Sequence, residues 1–338
     1  MKFTVNLGTS SYDVVLKRGC LKNACQFIHM ARKAVVITDD GVPEGYARIL
    51  ADQCTACRII TVKQGPASKS LSTVENILTQ MLGFGLGKED LVIAVGGGTV
   101  CDLAGFAASM YLQGIDFINC PTTTLAMNSR AIGGNVSVDL DRTPNIVGAP
   151  YRPRLVLVDP DVLATLPRRH FVNGLAAALK LALCIDPTLY NLLETGDVDA
   201  EIETIIQRCL TAQRSLTQNV RYQPLDGLPL YFGHLLGDGI EAVKGNWGRR
   251  TTGLYHGECI ALGMLPMIQN KALQKRTRAV MRRLGLPVRC NYDKAAVRDA
   301  ILRQHAARRD QFILVQVPGL GCWQAEPCAD EMVTALLG

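Results

Sequence analysis

Residues 91–124 read LVIAVGGGTVCDLAGFAASMYLQGIDFINCPTTT, and this stretch decides the fold. A wholly apolar run, 91–95, ends on three glycines. A helical pattern over 100–112 then leads to a second predicted strand, 115–119, which is followed by Cys120, a proline and three threonines. Uninterrupted hydrophobic strands that alternate with helices are typical of a parallel sheet covered on both faces. Ligands of such sheets bind beyond the carboxyl ends of the strands. The stretch therefore predicts a doubly wound α/β fold with a ligand site at the glycine and threonine turns.

The same alternation extends toward the N-terminus, whereas helical patterns dominate after residue 158. Before residue 91, strands are predicted at 2–6, 12–17, 33–38 and 58–62, and helices at 43–53 and 70–82. After residue 158, a hairpin is predicted at 311–324 and helices at 187–194, 199–220, 231–243, 257–273, 276–284, 294–305 and 329–337. We predict a Rossmann-like domain over residues 1–158 and a mainly α-helical domain over 159–338. The boundary is expected in the loop-rich stretch 139–160, and an active site in the cleft between the domains.

The composition is that of a soluble globular chain. Its 338 residues are 48% hydrophobic and 20% charged, which excludes a disordered or fibrous protein. No apolar run approaches about 18 residues and the chain starts on a strand pattern, so we expect neither a membrane span nor a signal peptide. Twelve cysteines scattered through apolar segments indicate buried thiols in a reducing compartment, and we expect a cytoplasmic protein.

The formal net charge of +6 is concentrated in one region. Residues 271–310 hold twelve Lys and Arg against three Asp and Glu, a local +9 that leaves −3 for the rest of the chain. Tyr292 is the only aromatic residue in that region, whereas a nucleic-acid site would interleave aromatic and basic residues. We interpret the region as a solvated basic face, with a subunit contact or an anion-facing wall as alternatives, and we expect no nucleic-acid partner.

The glycine triplet is the first candidate for a binding role. Gly96, Gly97 and Gly98 would let the backbone approach a ligand, and the helix start that follows offers N–H groups to a pyrophosphate. The triplet does not complete the GxGxxG fingerprint, because the third position holds Cys101. A tight turn between strand and helix explains the triplet equally well, so both interpretations stay open.

A second candidate group contains His234, Asp238 and His256. His234 and Asp238 are four residues apart on a predicted helix and therefore share a face, and His256 begins the next helix. Two histidines and a carboxylate can hold a divalent metal. Each histidine is also explained as a polar group at a helix end that the backbone satisfies.

The order of several motifs resembles that of the 3-dehydroquinate synthase family of sugar-phosphate cyclases, almost from end to end. The matching segments are Gly96-Gly97-Gly98-Thr99-Val100-Cys101-Asp102, Pro121-Thr122-Thr123, Thr165-Leu166-Pro167, Gly174-Leu175-Ala176, Phe232-Gly233-His234 and His256-Gly257-Glu258. The resemblance implies NAD in the N-terminal domain, a zinc-type divalent metal in the C-terminal domain, and a homodimer that acts on a small molecule. In that family NAD oxidises a hydroxyl of a phosphorylated seven-carbon keto acid, phosphate is eliminated, the carbonyl is reduced again, and the ring reopens and closes as a carbocycle.

The positions that correspond to the family's NAD contacts are mostly retained. They are Asp39, Lys69, Gly96, Gly97, Gly98, Asp102, Thr122 and Thr123. A glutamate that the family carries nearby is Pro66 here. The resemblance therefore implies that NAD binding persists.

The positions that correspond to the family's reaction centre are mostly changed. A glutamate ligand of the metal is Ala177, and the second histidine of the family's His-x-x-x-His helix is Asp238, which leaves His234, His256 and Asp238 as the expected metal ligands. Neutral residues stand where the family has cations, at Gln113, Asn135, Pro144, Gln213 and Gly227.

The expected catalytic residues are Lys180, Asp238 and Asn128, the last in place of an aspartate that follows the family's threonine turn. Arg130 is a new cation beside it, and Arg308 or Arg309 stands in for a family lysine near the C-terminal hairpin.

The lost cations set an expectation for activity. A charge-assisted hydrogen bond contributes about 1.5–3 kcal/mol, so four or five losses would remove roughly 6–15 kcal/mol from the binding of a phosphorylated carboxylate or its transition state. We predict an NAD-binding protein whose usual cyclase activity is lost or altered, with a less anionic substrate. The alternatives are a working 3-dehydroquinate synthase with compensating residues and a non-catalytic binding subunit.

Overall fold

The computed structural model describes residues 1–141, 143–219, 224–246, 253–308 and 312–337, with the backbone alone for 224–226 and 308. The chain divides into two compact units, Met1–Pro167 and Arg168–Gly338, which we call the N-unit and the C-unit. The sequence prediction placed the boundary at 158/159, before the 3-10 turn Pro160–Thr165 that the N-unit includes. None of the helices in the described ranges is long and apolar enough to cross a membrane.

A seven-stranded sheet forms the centre of the N-unit. Its strand order is β1-β2-β9-β6-β5-β3-β4, and every neighbouring pair is parallel except the antiparallel β1 and β2. The strands of the N-unit are β1 Lys2–Val5, β2 Tyr12–Leu16, β3 Lys33–Asp39, β4 Ala56–Val62, β5 Leu91–Gly96, β6 Asp116–Pro121, β7 Asn135–Leu140, β8 Thr143–Pro150 and β9 Leu155–Val158. The uniformly apolar strands that predicted this sheet are its buried central members.

The helices of the N-unit are α1 Glu44–Ala51, α2 Leu71–Phe84 and α3 Gly98–Met110. The apolar side of α2 and almost all of α3 pack against the sheet in one buried cluster with Val92, Ala94 and Phe117. This packing fixes the start of α3 at the carboxyl end of β5, which is where the glycine triplet lies.

The prediction of loops over residues 139–160 is wrong. Residues 135–150 form the antiparallel hairpin of β7 and β8, and β9 lies inside the sheet between β2 and β6. The apolar run of β9 is only four residues long and stands between Pro153 and Pro160, so it carries no alternation to detect. Pro144 and Pro150 are accommodated in β8 because that strand pairs on one side only, with β7.

The C-unit is mainly helical, as predicted. Its helices are α4 Arg168–Cys184, α5 Pro187–Thr195, α6 Ile202–Asn219, α7 His234–Lys244, α8 His256–Met264, α9 Lys271–Leu284, α10 Lys294–Arg308 and α11 Asp330–Leu337, and its hairpin consists of β10 Ile313–Gly319 and β11 Cys322–Pro327. The predicted hairpin turns at Leu320 and Gly321, because Gly319 still pairs with Cys322. Val220 and Gln311, at the ends of two predicted elements, lie outside the described residues.

Two helix predictions in the C-unit need correction. The sequence analysis gave no helix over α4, because every residue from Phe171 to Cys184 is buried and the segment therefore shows no amphipathic period. The single helix predicted over 257–273 is interrupted: α8 ends at Met264, a 3-10 turn with Pro266 follows, and α9 begins at Lys271. Proline cannot continue the hydrogen-bond pattern of a helix interior.

Small residues bring α7 and α8 into backbone contact. A side chain at Gly263 would collide with the carbonyl of Gly233, and a Cβ at Gly237 would lie 2.9 Å from the Cα of Ile260. Helices that approach so closely hold the side chains at their facing edges in fixed relative positions.

Candidate functional site

The glycine turn of the N-unit joins β5 to α3. Gly96 ends β5, and its carbonyl accepts a hydrogen bond from Thr122 N at 2.9 Å. A Cβ at Gly96 would lie 2.6 Å from the Cβ of Val100, so only glycine allows this close return of the chain. Gly97 is the N-cap of α3 and makes no side-chain cap, which leaves the first N–H groups of α3 to other partners.

The threonine turn packs against the glycine turn. Thr123 Oγ1 accepts a hydrogen bond from Ala126 N at 3.1 Å, and Thr123 Cγ2 would lie 3.3 Å from a Cβ at Gly97. The predicted cofactor residues of these two turns are therefore brought together by the parallel pairing of β5 with β6.

A buried ion pair supports the start of α3. Lys69 Nζ lies 2.5 Å from Asp102 Oδ2, and both side chains are less than one-tenth exposed. Lys69 also donates to Asn145 Oδ1, which in turn accepts from Ser137 Oγ at 3.0 Å. Burial lowers the pKa of Lys69, while the charge of Asp102 opposes that shift.

Arg130 adds a second cation to this ion pair. It belongs to a π-helical turn, Ala126–Arg130, and its guanidinium lies 3.5 Å from Asp102 Oδ2. Its Cγ would lie 3.4 Å from a Cβ at Gly98, so the side chain runs along the glycine turn. Lys69, Asp102 and Arg130 together carry a net charge of +1 beside the uncapped start of α3.

Two further predicted residues stand near the carboxyl ends of strands. Asp39 ends β3, and its Oδ1 accepts a hydrogen bond from Gly41 N at 2.9 Å; burial raises the pKa of this carboxyl. Asn128 is buried in the same π-helical turn as Arg130.

Some buried polar atoms of the N-unit have no protein partner. Thr38 Oγ1, Asn119 Oδ1 and Thr124 Oγ1 are buried without a hydrogen bond to any described residue. Thr38 and Asn119 lie in the last residues of β3 and β6, and Thr124 follows β6. Buried polar groups are normally satisfied, so water or a ligand is expected at this edge of the sheet.

In the C-unit, Lys180, His234 and Asp238 form a chain of polar contacts. Lys180 Nζ donates to the carbonyl of Leu230 at 2.6 Å and contacts His234 Nε2 at 3.3 Å. An ammonium can only donate, so Nε2 accepts and the ring proton sits on Nδ1, which lies 3.2 Å from Asp238 Oδ1. Burial lowers the pKa of His234, Asp238 raises it, and Lys180 lowers it further; the net shift keeps the imidazole neutral near pH 7.

His256 has a different partner from the one that the sequence suggested. Its Nδ1 lies 2.6 Å from Glu241 Oε2, and its ring centroid is 5.5 Å from that of His234. Sequence reasoning missed Glu241, although the signal was present. Glu241 follows Asp238 by three residues and His234 by seven, which puts all three on one face of α7.

Three donors of the C-unit are close enough to share one cation. One ligand atom each of Asp238, Glu241 and His256 lies within 4.8 Å of the other two. Ala177 is buried in α4 and offers no donor.

The neutral replacements predicted for the C-unit do not regain an anion-binding group. Gln213 is 1% exposed, and its Nε2 donates to the carbonyl of Cys209 in its own helix at 3.3 Å. Gly227 is buried and has no side chain. The side chain of Arg308 and all of Arg309 lie outside the described residues.

Comparison with known proteins identifies related sequences over most of the chain. Family models of the N-terminal and C-terminal domains of 3-dehydroquinate synthase match residues 59–173 and 174–306. The 3-dehydroquinate synthase of Clostridium kluyveri is 32% identical, with 94% of this chain and 92% of that protein covered. The 3-dehydroquinate synthase of Pelobacter propionicus is also 32% identical, with 98% and 97% covered.

Solved structures of other proteins have the same fold. A 2-deoxy-scyllo-inosose synthase, complexed with carbaglucose-6-phosphate, NAD+ and Co2+, matches with a TM-score of 0.88 at 22% identity over 100% of this chain and 99% of that one. ValA, a 2-epi-5-epi-valiolone synthase from Streptomyces hygroscopicus with NAD+ and Zn2+ bound, matches with a TM-score of 0.82 at 26% identity over 98% and 97%. The α/β fold class predicted from the sequence is confirmed.

Proposed function

Because the chain belongs to the 3-dehydroquinate synthase family, we propose that it is an NAD-binding member that acts on a less anionic substrate than the family's phosphorylated seven-carbon keto acid. One observation supports the less anionic substrate. Gln213 stands where the family has a lysine, and its buried amide is hydrogen-bonded to the backbone of its own helix. It therefore supplies no charge to a phosphate or a carboxylate.

The residues of the N-unit fit a dinucleotide. The uncapped start of α3, a backbone that only glycine allows at Gly96, and the net positive charge around Asp102 suit a pyrophosphate. Asp39 suits a ribose, because a carboxylate at the end of β3 can accept hydrogen bonds from its hydroxyls. Two structures of the same fold contain NAD+, which supports the same cofactor here.

The donor set of the C-unit fits a divalent cation, since two carboxylates and an imidazole are ligands that such ions accept. When bound, NAD supplies a hydride acceptor and donor, and a divalent metal supplies a Lewis acid for a hydroxyl or carbonyl oxygen. Of the metal ligands predicted from the sequence, Asp238 and His256 belong to this donor set, and the ring centroid of His234 lies 5.5 Å from that of His256.

The chain's own groups can hold and move a proton. The neutral His234 ring is oriented by Lys180 on one side and Asp238 on the other. Such an arrangement keeps one tautomer in place, as the orienting carboxylate of a catalytic triad does. We assign Lys180 to an oxygen of the substrate and Asp238 to the orientation of His234, and Asn128 remains a predicted catalytic residue of the N-unit.

A working 3-dehydroquinate synthase is the second candidate, because the curated relatives at 32% identity carry that name. It would need Asp238 to act as a metal ligand and Arg130, Arg308 or Arg309 to bind the anionic groups in place of the lost cations. The homodimer and the cytoplasmic location also remain predictions.

The deciding experiment offers the purified protein NAD+, Co2+ and one of two substrates, the family's phosphorylated keto acid or an uncharged cyclic polyol. We expect phosphate release from the keto acid to be roughly four or more orders of magnitude slower than with the C. kluyveri enzyme in the same assay. We expect transient reduction of NAD+ with the polyol. Efficient phosphate release, or growth of a strain that lacks the synthase when this chain is expressed, would establish the second candidate instead. Binding of NAD+ without reduction by either substrate would indicate a binding subunit.

A further inference from the structure

We propose that the divalent cation of the C-unit binds to Asp238, Glu241 and His256, and that His234 is not one of its ligands. The proposal deepens the proposed function by assigning the metal to residues of this chain. It is tested by metal binding alone, so it can fail while the proposed activity stands, and the reverse.

The three donors stand on two helices, α7 and α8, whose backbones are in close contact. Asp238 and Glu241 lie one turn apart on α7, and His256 is the first residue of α8. The collision that a side chain at Gly263 would make with Gly233 shows how closely the two helices approach. Donors on rigid, packed elements lose little freedom when a metal binds.

The start of α8 is also fixed from α4. Arg169 makes two hydrogen bonds of 2.8 Å to Glu258, and Glu258 accepts from Tyr255 N at 2.9 Å in a capping box. Asn173 Oδ1 accepts from Glu258 N at 3.2 Å. His256 therefore has a defined position at the helix start.

His234 differs from His256 in its partners. The Nδ1 of His256 contacts Glu241, which is itself one of the three donors, whereas one partner of His234 is the cation Lys180. The Nε2 of His234 accepts from Lys180, and its Nδ1 donates to Asp238. A divalent cation on Nε2 would take the lone pair that the ammonium uses, and it would be repelled by the positive charge of Lys180, whose Nζ lies 3.3 Å from Nε2. The absence of a carboxylate at Ala177 removes the group that would offset this repulsion.

The balance of charges favours Asp238, Glu241 and His256 over a ligand set that contains His234. The family's position at Ala177 has lost one carboxylate, whereas the position at Asp238 has gained one in place of a histidine. Asp238 and Glu241 together provide two negative charges, which match a divalent cation, and the carboxylate-rich set suits Co2+, Mn2+ or Zn2+. The carboxylate lost from α4 is thus compensated by one gained on α7, three helices further along the chain.

The test uses Co2+ as the probe, without NAD or substrate. Equilibrium dialysis of the full chain should find a single bound cobalt, and its visible absorption reports the ligand field. We expect Glu241→Gln and Asp238→Asn each to weaken cobalt binding by at least about 10-fold, because each removes a charged ligand. We expect His234→Asn to change the affinity less than about 3-fold, since that ring is not coordinated.

Glu331→Gln, an exposed carboxylate on α11, is the matched control and should bind cobalt like the unaltered chain. Circular dichroism of each variant without metal identifies any that fails to fold. If either Asp238→Asn or Glu241→Gln fails to fold, the other variant still tests the proposal. Loss of cobalt in His234→Asn to the same extent as in Glu241→Gln would overturn the proposal. Absence of cobalt binding to the unaltered chain would overturn it as well.

Discussion

Arg130 is the residue at which this chain adds charge to the glycine turn. The buried Lys69 lies 2.5 Å from Asp102 and neutralises its charge. Arg130 contacts the same carboxylate at the longer distance of 3.5 Å through one of its terminal nitrogens, so its other N–H donors can serve an anion. We expect Arg130→Gln to weaken NAD+ binding about 10- to 100-fold, because a charge-assisted hydrogen bond contributes about 1.5–3 kcal/mol. Isothermal titration calorimetry measures the change.

Two comparisons give this prediction its specificity. ADP-ribose keeps the diphosphate and should show the same loss, whereas adenosine lacks it and should bind both forms of the protein alike. Arg154→Gln is the matched control, since that guanidinium is mostly exposed and pairs with Asp116 in the amino-terminal half of β6. Equal affinities of the unaltered chain and Arg130→Gln for NAD+ would contradict the assignment.

His170 links stability to pH. Burial, assisted by the charge of Arg169, lowers the pKa of His170 below its ordinary value of 6.5. Above that value the ring is neutral in both the folded and the unfolded chain and contributes nothing. As the pH falls through 6.5, the unfolded chain binds the proton first, so the free energy of unfolding decreases until the lowered pKa is reached.

We therefore expect His170→Phe, which keeps a ring against Tyr255 at the present centroid distance of 4.5 Å, to lose less stability between about pH 7 and pH 5 than the unaltered chain. Urea unfolding at the two pH values measures this difference. An unchanged pH dependence in the variant would show that His170 is not buried in this way.

At the scale of elements, the contact of α4 with α8 is the most sensitive to added volume. A Cβ at Gly257 would collide with the backbone carbonyl of Asn173. We expect Gly257→Ala to lower the free energy of unfolding by about 1–3 kcal/mol, because rigid backbone must shift. It should also weaken cobalt binding, since His256 is the adjacent residue.

Gly45→Ala is the matched control for this substitution. Gly45 lies in α1 with open space around the position of its Cβ, so alanine should be neutral or stabilise by up to about 1 kcal/mol. Urea unfolding of both variants makes the comparison. Equal stabilities would contradict the close approach of α4 to α8.

An amphipathic period makes a helix predictable from the sequence, as α2 shows. α2 was predicted because Val74, Ile77 and Met81 recur at helical spacing on one buried side. α4 lacks such a period because it is buried all round, and β9 is too short for one. Lys180 was therefore predicted from a family motif, while the helix that carries it was not.

The candidate site could also be predicted only in part from the sequence. The histidines and Asp238 were found by their spacing, but which nitrogen faces which partner depends on the packing of α4 against α7 and α8. The contact between Lys180 and His234 joins residues 54 positions apart, and no local pattern encodes it. Glu241 was within reach of sequence reasoning, because its spacing from His234 and Asp238 was regular.

At the scale of the whole molecule, part of the surplus positive charge is engaged in contacts within the protein. In α9, Arg278 donates to the carbonyl of Val288, Arg283 to that of Leu193, and Arg276 pairs with Glu194 across to α5. These arginines bind carbonyl groups and a carboxylate of the C-unit itself. Three of the twelve Lys and Arg residues of 271–310 are thus engaged within the protein. The solvated basic face stays a prediction, and the net charge alone gives no argument for an anionic substrate.

The separation of the two proposed ligand sites into two compact units leads to a prediction for the whole chain. Each ligand should stabilise the protein by RT ln(1 + [L]/Kd), about 2.7 kcal/mol at a concentration of 100 Kd. NAD+ and Co2+ should therefore each raise the melting temperature in a calorimetric scan. Arg130→Gln should reduce the NAD+ shift and leave the cobalt shift intact, and Glu241→Gln should do the opposite, because the altered residues belong to different units. A variant that loses both shifts has a fold defect, whereas an unaltered chain that responds to neither ligand would contradict both proposed sites.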